Sequence, residues 1–451
     1  MQALLEFACY KLRSMNSDVG LARETSAAES KVSLLHRCAH SHTFYLLVLA
    51  AAAFLIVISR RPDAVFNAQF FAEDGQRWYA DAYHFGLRCL LIPDEAGGYL
   101  HSAPRLAALL SLLVPFRRAP LVMNLSAIMI QVLPAIVFAS ERFSRMRLWI
   151  RLLGGLLYLS LPNSYGTNAN ATNIQWHLAV LAFLVLAAQP TSDWRWRIFD
   201  ATTLVLMSVE SPVGVLLAPV AAALWWLRRN QYPLQLCLWL LPGAILQTVV
   251  LLTSHARQVV PNGASVERLI SIVARQVFLA SLLGKNKMFH MALRYSPHSL
   301  SALELTATVI GLAILAYALR YAPWEFRLFV VFAFSGLGLA LVHPIAGPAN
   351  ELQWELLRSP GTSNRYFYLP VLAFLSSLLW ITVFARSRTA RGLAAVFLLM
   401  SAVGMRRDWR YPPFEDMHFR QYASEFEKAS PGTRVVIPIN PPPWNMELLK
   451  H

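Results

Sequence analysis

Two adjacent carboxylates, Glu73 and Asp74, stand in the stretch Phe70-Phe71-Ala72-Glu73-Asp74-Gly75, just beyond the first long apolar run of the chain. Arg77, Trp78 and Asp81 follow within the next turns. Acids placed where water, lipid headgroup and protein meet suit abstraction of a proton from a hydroxyl, because a general base must come within hydrogen-bond reach of the proton it takes. Asp74 is the first candidate for that base and Glu73 the second. The same two side chains are the place where a divalent ion shared by carboxylates would sit, if the chain holds one. A structural reading stands beside the chemical one: Asp74 as a helix N-cap, and Glu73 as the partner of Arg77 four residues on.

Other polar residues stand out against apolar surroundings. The turn from Ile92 to His101 is rich in Gly and leads to Arg105; His101 and Arg105 are candidate substrate contacts, and a lone histidine without a spaced partner argues little for a metal site. The island from Asn163 to Asn173, with Gln175 and Trp176 behind it, is dense in uncharged donors and acceptors, which suits a sugar and also suits a capping loop. Glu210 interrupts an apolar run just before Pro212. A charge at bilayer depth costs at least about 2.5 to 3.5 kcal/mol, so Glu210 should face a cavity or a partner, unless it is simply a helix-terminal acid.

Two basic features suit a phosphate. Ser265 to Leu283 has Val266, Leu269, Ile270, Val273, Val277 and Leu282 at helical spacing, which predicts an interfacial helix carrying Arg275, with Lys285 just beyond. Arg365, followed by Tyr366, opens a late apolar segment, and a guanidinium offers paired donors to phosphate oxygens. Snorkelling to the interface explains such an arginine as well.

The elements that must position these residues are membrane spans. The chain has 451 residues, 56% hydrophobic and 14% charged, with mean hydropathy +0.44; soluble domains carry about 25% charged residues. The expected fold class is therefore an all-α polytopic membrane protein. A span needs about 20 mostly apolar residues. Candidates are Thr43 to Ser59, Ala119 to Ser140, Leu148 to Leu161, Ile174 to Ala188, Phe199 to Val209 continued by Pro212 to Leu227, and Leu234 to Leu252. Ala302 to Leu319, Phe326 to Val342, Tyr366 to Ala385 and Leu393 to Met405 complete about eleven transmembrane helices. The net charge of +15 follows from basic loops between apolar segments, so no nucleic acid is expected as a partner; a lipid bilayer is. Four scattered cysteines imply neither a zinc site nor a disulfide framework.

Pro104 to Val114 is apolar but short, and whether it crosses decides the orientation of everything after it. If it does not cross, Arg142, Arg145, Arg147, Arg195, Arg197, Arg228, Arg229, Arg320, Arg327, Arg386, Arg388 and Arg391 all fall on one side. The positive-inside rule makes that side cytoplasmic. The domain plan is then a cytoplasmic segment 1–42, a transmembrane region 43–405, and a short extracytoplasmic tail 406–451 with an extended segment. Loops 60–118 and 253–301 face outward and carry juxtamembrane helices.

An outward acidic pair, a following juxtamembrane helix, a polar loop before Gln175-Trp176-His177, and Asn364-Arg365-Tyr366 opening a late span resemble the GT-C superfamily of polytopic glycosyltransferases. Ala72-Glu73-Asp74-Gly75 is the most useful of these motifs, and the likeness covers most of the membrane region. The resemblance implies a polyprenyl-phosphate-linked sugar donor, a glycan, lipid or polymer acceptor, and an inverting single displacement with Asp74 or Glu73 as base. The expected location is a bacterial inner (plasma) membrane, with the active site on the extracytoplasmic face that the charge asymmetry assigns. Arg365, with Arg275 or Lys285, would stabilise the departing phosphate. Two alternatives from other classes remain: a flippase of lipid-linked sugars built on Glu210, and a noncatalytic assembly subunit.

Overall fold

The computed structural model describes residues 42–94, 97–254, 260–294 and 301–451. The segment 1–41, Glu95 and Ala96 of the Gly-rich turn, and residues 255–259 and 295–300 of the long loop lie outside the described residues. The chain divides into a unit Met1–Ala51 and a unit Ala52–His451. Of the first, the start of helix α1 (His42–Arg60) is described, with Phe44, Leu47 and Val48 exposed; the second holds all the other described elements.

Among the described residues six helices are long and apolar enough to cross a membrane: Phe116–Ala139, Gln231–Thr253, Ala302–Tyr321, Trp324–Val342, Asn364–Phe384 and Arg388–Arg407. Phe44–Arg60, Leu148–Leu159, Ile174–Ala187 and Pro212–Arg228 are apolar but shorter. In chain order the main helices after α1 are α2 (Ala80–Phe85), α3 (Ser102–Ser111), α4 (Ala119–Ala139), α5 (Leu148–Leu159), α6 (Ile174–Ala187), α7 (Trp194–Ser208), α8 (Pro212–Arg228) and α9 (Gln231–Thr253). Then come α10 (Val266–Ile272), α11 (Lys285–Arg294), α12 (Ala302–Tyr321), α13 (Trp324–Val342), α14 (Tyr368–Phe384), α15 (Arg388–Arg407) and α16 (Phe419–Lys428). Helix α3, at ten residues, is about 15 Å long, half the thickness of a bilayer core.

Two helices are central. The span containing α14 has 72% of its apolar window buried, against 17% for α15, so α15 is peripheral and α14 is enclosed. Helix α6 is buried along nearly its whole length. His177 of α6 and Tyr368 of α14 meet directly, ring centroids 5.1 Å apart and Tyr368 Oη 3.1 Å from His177 Nδ1. Both helices are opened by polar segments, Asn163–Asn173 and Gly361–Tyr366, so those segments sit on the most enclosed helices of the bundle. Some charges at other helix ends are paired. Arg142 meets Asp200 at 2.7 Å, Tyr232 also donates to Asp200, and Arg228 meets Glu325 at 3.1 Å.

The long loop departs from the interfacial helix its periodicity predicts. Helix α10 runs into a π-helical segment, Val273–Leu279, in which Ala274 to Leu279 are all buried. This stretch is inserted into the protein rather than laid on lipid, because its polar side chains find protein partners. Arg275 and Ser271 bond Glu304, and Gln276 Nε2 donates to the Leu357 carbonyl at 2.9 Å and the Ser359 carbonyl at 2.6 Å. Glu304 also closes a reciprocal capping box with Ser301 at the start of α12.

The tail, where a single extended segment is predicted, instead forms α16 and an antiparallel hairpin of β1 (Arg434–Pro438) with β2 (Asn445–Leu449), in register Ile437 to Met446. The alternation in β2 explains it: Met446 and Leu448 are buried, Asn445, Glu447 and Leu449 exposed. The tail docks on the first loop. Phe419 of α16 packs 5.3 Å from both Phe70 and Phe116, and Asn440 exchanges backbone hydrogen bonds with Phe70 and Ala72. Phe419→Ala should cost about 3 to 5 kcal/mol of tail docking. Hydrogen exchange in detergent is expected to rise across Arg434–Leu449 while α14 stays protected.

Candidate functional site

The acidic pair lies at the start of a π-helical turn, Asp74–Tyr79, that runs into α2. Ala72 just before it has φ of 48°, a left-handed conformation that a non-glycine residue adopts only under constraint. The backbone bonds between Asn440 and both Phe70 and Ala72 supply that constraint. Gly75 is required by close approach: a Cβ there would lie 2.9 Å from Phe70 Cβ and 3.1 Å from Ile439 Cδ1.

Consecutive residues on a helical turn face different ways, and the two acids have opposite surroundings. Asp74 is wholly buried. Its Oδ1 accepts from Thr172 N at 2.6 Å and from Thr172 Oγ1 at 2.7 Å, and its Oδ2 from Ala171 N at 3.2 Å. Burial pushes its carboxyl up to about 7, against the lowering effect of those three donors. Asp74 therefore reaches across to the polar island and does not cap its own helix. Glu73 is half-buried. Its carboxylate makes no hydrogen bond or ion pair with another described residue, and it lies within electrostatic reach of Arg365. Arg77 pairs with Asp94 and not with Glu73.

Three segments converge here: the first loop, the island and the approach to α14. Asn364 Nδ2 donates to the Asn163 carbonyl at 3.1 Å, and Tyr165 Oη to the Gly361 carbonyl at 3.2 Å. Gly166 passes so near Asn364 that a Cβ would sit 2.5 Å from its Oδ1. Gln131 of α4 holds the island from below, donating to Asn168 Oδ1 and accepting from Ala169 N, both at 3.0 Å. Asn173 Nδ2 donates to the Gly166 carbonyl at 2.9 Å. Gln175 acts electrostatically on the Tyr99 phenol, and the Trp176 ring lies 6.4 Å from Tyr366.

Cations gather around Tyr165. Lys285 Nζ stands 4.0 Å from its ring centroid, and both Arg61 and Arg365 act on its hydroxyl. Arg365 is half-buried and donates to the Ile345 carbonyl at 3.1 Å. Burial lowers the Lys285 ammonium, opposed by Asp408. Arg61 is 3% exposed, its bond to the Asn168 carbonyl is long at 3.4 Å, and its Nε has no partner among the described residues. Arg61 carries no role in the sequence reading, and Tyr99 and Tyr165 lie inside the turn and the polar island it picks out without a role of their own. Arg61 lies at the boundary of an apolar run, where an arginine snorkelling to the interface is ordinary. Of the two cations proposed to accompany Arg365, Lys285 joins this cluster. Arg275 does not present a free charge, because Glu304 takes its buried guanidinium.

His101, Arg105 and Glu210 serve the framework around the first loop. Glu210 is buried between α7 and α8; its Oε2 accepts from Ala103 N at 2.6 Å at the start of α3, and its Oε1 lies 3.5 Å from His101 Nδ1. A carboxylate at a helix N-terminus meets unsatisfied N–H groups and the positive end of the dipole. His101 is held between Trp78 and Tyr99, with ring centroids at 4.7 and 4.4 Å. Arg105 pairs with Asp81 at 2.9 Å, donates to the Cys89 carbonyl at 2.6 Å and stacks on Trp78. Beside these residues a cleft of about 670 Å³ opens between the first loop and β2.

A divalent ion does not fit the acidic pair. The Asp74 oxygens are occupied by N–H and O–H donors, which a cation would have to displace. No group of three or more His, Cys, Asp and Glu suited to a metal occurs among the described residues. No protein-family model matches the chain, and no curated protein matches it.

The raised Asp74 carboxyl sets the sign of a pH effect. The folded chain holds the proton more tightly than the unfolded one, so the group's contribution is complete below its ordinary value near 3.8 and is lost as pH rises through about 7. Wild type should lose on the order of a few kcal/mol of stability relative to Asp74→Asn across that range, read as diverging unfolding midpoints in detergent. Parallel pH profiles would remove this account of Asp74.

Proposed function

We propose that the protein is a GT-C-type membrane glycosyltransferase. It moves one sugar from a polyprenyl-phosphate donor to an extracytoplasmic glycan, lipid or polymer acceptor. On this reading about eleven helices span a bacterial inner membrane, the shorter apolar helices included, and the site opens on the extracytoplasmic face. The observation that carries the reading is Glu73: a half-buried carboxylate without a hydrogen-bonding partner among the described residues, within electrostatic reach of Arg365 and next in sequence to Asp74, which the polar island holds.

The chemistry assigned to these groups is a single displacement. The acceptor hydroxyl oxygen attacks the anomeric carbon, the bond from that carbon to the phosphate oxygen breaks, and the bonding pair leaves with the phosphate. Glu73 takes the hydroxyl proton, which a general base does at a gain of about 10² to 10⁴ in rate. Arg365 and Lys285 stabilise the charge that develops on the leaving phosphate, a role for which Arg365 offers two parallel donors. Asp74 acts one step removed. Its bonds to Ala171 and Thr172 hold the turn that presents Glu73, which reverses the sequence-based order of preference between the two acids.

Proteoliposomes supplied with polyprenyl-phosphate-linked sugar on one face test this. Glu73→Gln should lower transfer by about 10² to 10⁴ with little change in donor affinity. Arg365→Lys keeps the charge but loses the paired geometry, and should cost transfer with donor affinity also weakened. A Glu73→Gln protein that transfers sugar at the wild-type rate would overturn the assignment of the base. Translocation of the donor without covalent product would identify a flippase instead.

A further inference from the structure

We propose that the cleft between the first loop and the carboxy-terminal hairpin binds an uncharged oligosaccharide; its role as the acceptor site rests on the transferase reading above, while the binding itself does not. At about 670 Å³ the cleft falls within the ordinary range for small-molecule sites. One wall is Gln76, Arg77 and Asp81 from the π-helical turn and α2. The floor is Asp94 and Arg105, and the other wall is Asn445 and Glu447 of β2.

The charges in this lining are already matched within the protein. Arg77 pairs with Asp94, Arg105 with Asp81, and Glu447 with Arg434. An anionic ligand would meet three carboxylates against two guanidinium groups, and a cationic one would have to compete with those arginines. A hydroxyl-rich neutral ligand suits the wall best, since ion-paired groups still offer N–H donors and oxygen lone pairs. Arg105, 1% exposed, keeps an Nε without a partner among the described residues. Phe85, 52% exposed, with Pro93 and Pro443, supplies an apolar plate for the C–H faces of sugar rings.

Position supports the same ligand. Arg77 lies one helical turn beyond Glu73. Asp94 N donates to the Tyr99 carbonyl at 2.8 Å, and the Tyr99 phenol is acted on by both Asp94 and Arg365. The cleft is thus joined to the Glu73 and Arg365 region through Arg77, Asp94 and Tyr99. The hairpin suits a binding wall because β2 turns Met446 and Leu448 inward, leaving Asn445 and Glu447 exposed to face a ligand without loss of core.

The test uses the full chain, purified in detergent and labelled, on a printed array of neutral and acidic oligosaccharides. Wild type is expected to retain neutral glycans. Asn445→Trp, which fills the cleft from an exposed strand position, should weaken that binding about tenfold, and Phe85→Ala roughly fivefold, the worth of one aromatic contact. Thermal unfolding of both variants reports whether they fold; Phe85→Ala carries the test if the tryptophan disturbs the hairpin. No retention of neutral glycans, a preference for acidic ones, or wild-type binding by both folded variants would overturn the proposal. Glycan binding of the expected pattern by a protein that transfers no sugar would uphold the cleft and overturn the transferase reading.

Discussion

A carboxylate with no access to water has to be answered by donors, and in this protein the donors for Asp74 come from a segment nearly a hundred residues away. An unanswered buried ion costs several kcal/mol. The first loop is therefore committed to the Ala171–Thr172 turn. That turn belongs to an island which Gln131 holds from α4 and which Asn364 ties to the start of α14. Burial of one acid thus brings three polar segments together, and they gather where the two most enclosed helices begin.

The same commitment separates the roles of Glu73 and Asp74. Adjacent residues in a helical turn point about 100° apart, so a turn that buries Asp74 against the island leaves Glu73 directed elsewhere. The left-handed Ala72, held by the tail through Asn440, sets the angle at which the turn starts. Gly75 lets the turn close against Phe70 and Ile439. The tail is consequently part of the architecture around the acidic pair, a role that its small size did not suggest.

Charge pairing sorts the remaining candidates. Arg275, Arg105 and Glu210 each find a partner within the framework, at Glu304, at Asp81 and at the α3 N-terminus respectively. Arg365, Lys285 and Arg61 surround Tyr165 with less of their charge answered. Local spacing could not make this distinction. It offered Arg77 to Glu73 four residues away, and the structure gives Arg77 to Asp94 instead, because the turn closed by Asp94 and Tyr99 folds back over that face.

The order of residues alone establishes the class of the protein and the location of its unusual polar segments. Long apolar runs require helices in a bilayer, since an unpaired backbone cannot cross hydrocarbon, and Glu73-Asp74, Asn163–Asn173 and Arg365 stand out against that background. The Ser301 and Glu304 capping box, which the folded chain shows, has both partners within one turn. The choice of partners came only with the folded chain: Asp74 with Thr172, Glu210 with Ala103, Arg275 with Glu304. Folding likewise inserts Ala274–Leu279 of the long loop into the protein rather than leaving it interfacial, and sets the tail as a hairpin beside the first loop. These outcomes depend on contacts between segments far apart in the chain, and periodicity reports which face of a helix is apolar but not what that face will meet.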